Sequence, residues 1–331
     1  MKAIQLRRFG NPDVLDYIDV PTPVPGPGEV LVQVHAAGVN FADTLMRQDR
    51  YAITPPLPAI LGSEVAGTIA ALGVDVDANT IAIGTRVAAP LFAANISLGG
   101  YAEFVVVPVD YIVPLPDNLS FDQATALMVQ GLTAAYLIKQ VPPAGKTVLA
   151  TSAAGGVGSF LVQLARQAGA RHIVAAASSE QKLAFTRSLG ADVGIDYTDP
   201  HWTVSLNAAL GGAGPDIIYE SVGGTITMDG LAALAPLGQM VIYGALNIQQ
   251  FALGVPDLLG LIFKNQSITG FALVPLLTPG SLKRELGALF DDAAQGLLTV
   301  TIGGVYSLAD AADAHRALEA RNTIGKLILV P

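Results

Sequence analysis

The sequence predicts an α/β protein of two unlike parts, a small β-barrel domain and a domain built on a doubly wound parallel sheet. Three observations carry that prediction. Residues 1 to about 120 hold short strand-like runs separated by Gly and Pro. After Pro142-Pro143, apolar runs without alternation are interleaved with amphipathic helical segments, the mark of parallel strands covered on both faces. Between the first such strand and its helix lies a glycine-rich turn.

Taken in order, strands are expected at Glu29–Val34, Val65–Ala70, Arg86–Ala89 and Ala102–Val107. The segment from Pro21 to Gly28 is a stiff surface connection, since each proline fixes φ and lacks a donor. Regular short strands of this kind suit a sheet that curls into a barrel. Ser120 with Gln123 three residues on is a capping-box pattern opening a helix through Leu127. The parallel strands follow at Thr147–Thr151, Ile173–Ala177, Val193–Ile195, Asp216–Glu220 and Gln239–Tyr243, and Ile268–Phe271 completes the sheet. A helix around Ala309–Ala320 and a strand Lys326–Val330 are expected to return to the first domain. The expected domains are therefore 1–120 with 270–331, and 121–269.

With 331 residues, 51% hydrophobic and 14% charged, the chain has ample material for two cores and too little charge for disorder. A net charge of −9 argues against nucleic acid as a partner. The opening ten residues lack the apolar core of a secretory leader, and the apolar stretch Phe251 to Phe263 is broken by Gly254, Pro256, Asp257 and Gly260, so no membrane partner is expected. No cysteine is present, which removes disulfides and thiolate metal sites and makes the cytoplasm the expected location.

The turn after Thr151 reads Ala153-x-Gly155-x-x-Gly158, with alanine at the first glycine position of the dinucleotide fingerprint. In this strand–turn–helix setting, Ala154, Gly155, Gly156, Val157 and Gly158 are expected against a pyrophosphate, at a helix end with free amides and a positive dipole. The bland reading is a turn that only joins strand to helix. An NAD-preferring unit places a carboxylate at the end of the second strand to hold the ribose. Here the strand ends Ala177-Ser178-Ser179, and Glu180 better serves the next helix. Ser178 and Lys182 suit a 2′-phosphate, which predicts NADPH, although Lys182 alone could be a solvated helix residue.

Further segments, taken in their order and spacing, carry a family resemblance. They are Ala36–Asp43, Leu61–Gly67, Gly84–Val87, Gln130–Ala134, Ala153–Gly158, Ser221–Gly224 and Gly325–Leu329. Over nearly its whole length the chain resembles the zinc-independent quinone oxidoreductases of the medium-chain dehydrogenase/reductase superfamily. The resemblance implies a GroES-like barrel, a Rossmann nucleotide domain, an active site in the cleft between them, and a homodimer. It implies that Asn40 and Thr133 approach the nicotinamide ribose, and that Ser178, Lys182 and Tyr197 surround the 2′-phosphate. It also places Val222, Gly244, Ala245 and Phe271 along the nicotinamide half, with Asn322 reaching the cofactor from the tail, and Tyr243 is a further cofactor-binding candidate.

Zinc alcohol dehydrogenases of that superfamily use a cysteine near Val39 and a histidine where this chain has Ser63; the four histidines, His35, His172, His201 and His315, are scattered without ligand spacing. No metal is expected. Without a Lewis acid, an isolated carbonyl is a poor hydride acceptor, whereas a quinone or enone spreads the charge by conjugation. The cleft lining implied by Phe41, Tyr51, Phe92 and Phe271 suits either acceptor. Tyr51 is the candidate hydrogen-bond donor and Asn40 a candidate support for ribose or acceptor oxygen; the plain alternatives are a loop aromatic and a turn residue. The expected function is hydride transfer from NADPH to a quinone or other conjugated carbonyl compound. The competing readings are an enone, enal or enoyl-thioester (C=C) reductase, and an NADPH-binding structural or regulatory protein with little turnover.

Overall fold

A computed structural model describes residues 1–94, 98–244, 246–247 and 250–331. Two compact units emerge, residues 1–132 with 274–331, and residues 133–273.

In the first unit, β1 (Lys2–Leu6) pairs antiparallel with β2 (Leu15–Asp19) and, through Leu6 and Gln5, with β4 (Ala59–Ile60). The larger sheet is organised on the long strand β3 (Glu29–Val39). Beside it lie β5 (Val65–Leu72) and β7 (Phe104–Pro108), and β5 carries β6 (Arg86–Ala89), which pairs β8 (Val113–Pro114). The helix α1 (Phe41–Arg47) leaves directly from the end of β3. The strands bury Val30, Val32, Val34, Val65, Ile69, Val87 and Val107 in one core. Runs of Val and Ile fit these pleated surfaces because branched side chains pack well on a sheet.

Ser120 caps α2 (Phe121–Ala126) by the expected box, its hydroxyl accepting from Gln123 N at 3.2 Å. The helix then widens into a π-turn, Leu127–Gly131, before α3 (Leu132–Gln140). Residues 121–132 belong to the first unit, where Thr125 and Val129 make their bonds, so the observed division falls about a dozen residues later than the change of texture suggests.

In the second unit, β9 (Thr147–Ala150), β10 (His172–Ala177), β11 (Val193–Asp196), β12 (Ile217–Glu220), β13 (Gln239–Ile242) and β14 (Ser267–Gly270) form a fully parallel sheet in the order β11-β10-β9-β12-β13-β14. The order reverses between β9 and β12, and that switch point is where the carboxyl ends of such strands leave a crevice. The helices α4 (Gly156–Gln167), α5 (Glu180–Ser188), α6 (Trp202–Ala209), α7 (Thr225–Ala233) and α8 (Val255–Lys264) make the crossovers. Leu149, Val174, Ile195, Trp202, Leu206, Ile218, Leu231 and Met240 form the core between them.

The chain then rejoins the first unit through α9 (Pro279–Ala294), β15 (Ile302–Ser307), α10 (Ala311–Glu319) and β16 (Lys326–Val330). As expected from the sequence, β16 returns there: it pairs antiparallel with β3, Leu327 opposite Val39.

Candidate functional site

The glycine-rich turn lies at the carboxyl end of β9, at the switch point. Ser152 takes a positive φ of 50°, and Ala153 N donates to Ala176 O at 3.0 Å, tying the turn to β10. No side chain caps α4; its first internal bond runs from Ser159 N to Gly155 O. The amides of Gly156, Val157 and Gly158 therefore stand at the helix entrance, where the backbone dipole favours an anion. Gly158 is required by packing: a Cβ there would fall 2.6 Å from the Cα of Ala153. Ala154 is buried behind the turn.

At the end of β10, Ser179 caps α5 by accepting from Lys182 N at 3.4 Å. The Lys182 Nζ donates to Ser178 Oγ at 3.1 Å, so the two residues expected at a 2′-phosphate are already adjacent. Glu180 is engaged by Arg187 on the outer face of α5. The next acidic residue in sequence is thus committed to its own helix, and Asp196, opposite Ala177 on β11, accepts from Thr198 N at 2.9 Å. Tyr197 follows β11, its N donating to Ala177 O at 3.1 Å.

On the other side of the switch point, Val222 is buried in the turn after β12. Tyr243 and Gly244 follow β13, and burial pushes the Tyr243 phenol above its ordinary range, opposed by a hydrogen bond with Ser221. Phe271 follows β14 and donates its N–H to Ile242 O at 2.9 Å. Thr133 is buried in the first turn of α3. Ala245 lies outside the described residues. The second unit thus gathers the expected turn residues, Ser178, Lys182, Tyr197, Val222, Tyr243, Gly244 and Phe271 at the carboxyl ends of its strands.

Asn40, Tyr51 and Asn322 belong to the first unit. Asn40 is buried, and its amide is used inside that unit. Its Nδ2 donates to Glu64 Oε1 at 2.8 Å and Ser63 Oγ at 3.3 Å, and its Oδ1 accepts from Lys326 Nζ at 2.7 Å. Both amide hydrogens being spent, only the second lone pair of Oδ1 remains for another donor. Tyr51 sits in a bend at 39% exposure, its phenol raised by partial burial and by the nearby Asp43. Asn322 is exposed.

Several buried polar residues were given no role by sequence reasoning. Glu64 pairs with Lys326, and its Oε2 accepts from Val129 N at 2.7 Å, holding the π-turn. Gly38 makes room for this pair, since a Cβ there would lie 2.7 Å from Lys326 Cε. Next to it, Asp43 Oδ2 accepts from Asn40 N at 2.8 Å and from the Tyr101 hydroxyl at 3.1 Å, and burial pushes its carboxyl up to about 6. Tyr101 also meets His315 Nε2 at 3.2 Å. A hydroxyl that donates to Asp43 must accept from the imidazole, which assigns the proton to Nε2 and leaves Nδ1 bare. Burial, assisted by the Arg47 cation, holds His315 down at about 3. Glu220, in the last position of β12, is the buried carboxyl of the second unit. For Glu220 and Lys326 the available signal was a charged residue abutting an uninterrupted apolar strand, as in Ile217–Glu220 and Lys326–Val330; Asp43 and His315 lie in helices and carried no such signal.

Residues 26–117 match the alcohol dehydrogenase GroES-like domain family, and residues 156–286 the zinc-binding dehydrogenase family. A quinone oxidoreductase of Pseudomonas aeruginosa is 36% identical, over 100% of this chain and 99% of its own. A 2-haloacrylate reductase of Burkholderia is 32% identical, over 99% of this chain and 98% of its own. Among solved structures, the Escherichia coli quinone oxidoreductase complexed with NADPH is 31% identical, with a TM-score of 0.90 and full coverage of both chains.

Proposed function

The chain belongs to the quinone oxidoreductase family of the medium-chain dehydrogenase/reductase superfamily, and from that premise we propose that it transfers hydride from NADPH to a quinone or another conjugated carbonyl acceptor. It is an NADPH-dependent enzyme of quinone oxidoreductase type. The observation that carries the cofactor is the uncapped entrance of α4 at the switch point, with Ser178 and Lys182 at the end of β10 and Glu180 drawn away to Arg187. The amides of Gly156 to Gly158 would hold the pyrophosphate, and Lys182 and Ser178 the 2′-phosphate. NADPH supplies the hydride. The protein orients it, excludes water and offers a hydrogen bond to the acceptor oxygen, for which Tyr51 is the proposed donor. Asn40, with its amide hydrogens already engaged, serves as a support rather than as a proton source.

Zinc, named in one of the matched families, does not fit the donors present. The chain has no cysteine, Ser63 Oγ accepts from Asn40, His35 stacks on Phe121, and His315 is bonded to Tyr101. We therefore propose a metal-independent reaction, in which conjugation in the acceptor takes the place of a Lewis acid.

Reduction of a conjugated carbon–carbon double bond is the second reading, favoured by the similarity to 2-haloacrylate reductase. Following NADPH oxidation with 1,4-naphthoquinone and with a small enone or 2-haloacrylate separates the two. Faster turnover of the naphthoquinone supports the first reading, and faster turnover of the alkene the second.

A homodimer is part of the same proposal. The helix α8 exposes Leu258 at 50%, Ile262 at 67% and Phe263 at 81%, beside the edge strand β14, which pairs on one side only among the described residues. Sedimentation should give twice the chain mass. No helix among the described residues is long and apolar enough to cross a membrane, and action in the cytosol is proposed from the cysteine-free composition.

A further inference from the structure

Glu220 is 1% exposed, at the carboxyl end of β12. Its Oε1 accepts from Val222 N at 2.7 Å, Gly223 N at 2.7 Å and Thr227 Oγ1 at 3.0 Å, while Oε2 is buried without a partner among the described residues. One oxygen thus gathers two amides of the turn and the hydroxyl of the first turn of α7. A buried carboxyl is costly unless its bonds are well made, so it is a poor choice for filling space.

The turn it holds is fixed at further points. Ser221 N donates to Thr151 Oγ1 at 3.0 Å, at the end of β9, and Ser221 is hydrogen-bonded with the Tyr243 phenol. Asn247 N donates to Val222 O at 3.0 Å. Gly223 and Gly224 both take positive φ, 81° and 63°, so the path between Val222 and Thr225 is a tight one that few other residues would follow.

Sheet order says which part of a dinucleotide meets this turn. On the cofactor reading above, the pyrophosphate would sit on the turn after β9 and the 2′-phosphate beside β10, where Ser178 and Lys182 stand. The remaining half must extend the other way, over β12 and β13.

We propose that Glu220 is a positioning residue for the nicotinamide half of NADPH, acting through the Ser221–Gly224 turn; the proposal rests on the cofactor reading above. The test is the binding of two probes, NADPH and adenosine 2′,5′-bisphosphate, to the wild type, Glu220→Ala and Glu220→Asp. The bisphosphate carries the 2′-phosphate end and no nicotinamide. In Glu220→Ala, NADPH affinity is expected to fall about tenfold, equivalent to ~1.4 kcal/mol, while bisphosphate affinity stays within about twofold. Glu220→Asp, shorter by one methylene, should show the same split at smaller amplitude. Turnover should fall in kcat more than in acceptor KM, because a misplaced hydride donor is felt at the chemical step.

The single tryptophan, Trp202, checks the fold, since its indole N–H donates to Asp229 on α7 at 3.4 Å; unchanged emission shows that α7 is in place. If Glu220→Ala loses that emission, Glu220→Asp decides. Equal weakening of both probes, or no change in either, overturns the proposal. A wild-type protein that binds neither probe overturns the cofactor reading instead.

Discussion

Glu64 and Lys326, 262 residues apart in sequence, form an ion pair in which both side chains are wholly buried. The pair joins the start of β5 to the start of β16, and through Asn40 and Val129 it holds the end of β3 and the π-turn. Such turns are frequent at functional sites because they re-aim side chains. This one precedes Thr133, a residue expected near the cofactor.

Removing one partner of a buried pair strands the other charge. Lys326→Met is therefore expected to destabilise the protein by about 3–5 kcal/mol, and Lys326→Met with Glu64→Leu by clearly less. Urea denaturation of the two single variants and the double variant gives the coupling directly. Additive losses would show that the pair is not coupled.

Asp43 and His315, bridged by Tyr101, have opposite linkages over nearly the same pH range. The raised Asp43 carboxyl keeps its proton up to about 6 in the folded state, so its contribution to stability falls as pH rises through the interval between its ordinary value and 6. His315, held near 3, stays neutral when folded and gains a proton when unfolded below its ordinary value, so its contribution rises with pH over that interval. The two slopes therefore oppose each other. In His315→Asn only the Asp43 slope remains. Its stability relative to the wild type should improve on acidification from about pH 6 to pH 4, by up to ~1.4 kcal/mol per unit. Urea midpoints across that range check it, and a constant difference would refute it.

Much of this fold was legible because its grammar is local. The capping box at Ser120, the strand–turn–helix around Gly155 and the unbroken apolar strands each carry their own signal within a few residues. The second unit's proposed nucleotide face could be read that way, since its candidate residues are mostly turn amides and neighbouring side chains such as Ser178 and Lys182. The polar core of the first unit could not. Asn40, Glu64 and Lys326 meet only when β3, β5 and β16 are assembled, and Tyr101 and His315 are 214 residues apart. Glu64 and Lys326 stood inside recognised segments, yet nothing local told that they pair with each other. The π-turn is equally silent in the sequence, because its register is set by Glu64 accepting from Val129.

Lys182 is the residue proposed to distinguish phosphorylated from plain dinucleotide. Lys182→Ala should weaken NADPH by about tenfold or more and leave NADH nearly unchanged, as expected for loss of one charge-assisted contact. Fluorescence titration with each nucleotide measures both. Comparable affinities of the wild type for NADPH and NADH would remove the basis of the prediction.

Tyr51 is the proposed donor to the acceptor oxygen, and its loss should act on chemistry alone. Tyr51→Phe is expected to lower kcat by about tenfold or more with NADPH affinity unaltered, within the range seen when one donor to a developing oxyanion is removed. Steady-state kinetics beside a binding titration separates the two effects. Unaltered turnover would exclude Tyr51 from the site.

The most direct test of hydride transfer from NADPH without a metal is a single assay. Purified protein is treated exhaustively with a chelator, titrated with NADPH by fluorescence, and then given 1,4-naphthoquinone while NADPH absorbance is followed. Saturable NADPH binding, followed by oxidation at the rate of the untreated protein, is the predicted result. Absence of saturable NADPH binding, or activity that vanishes with the chelator and returns with zinc, would contradict it.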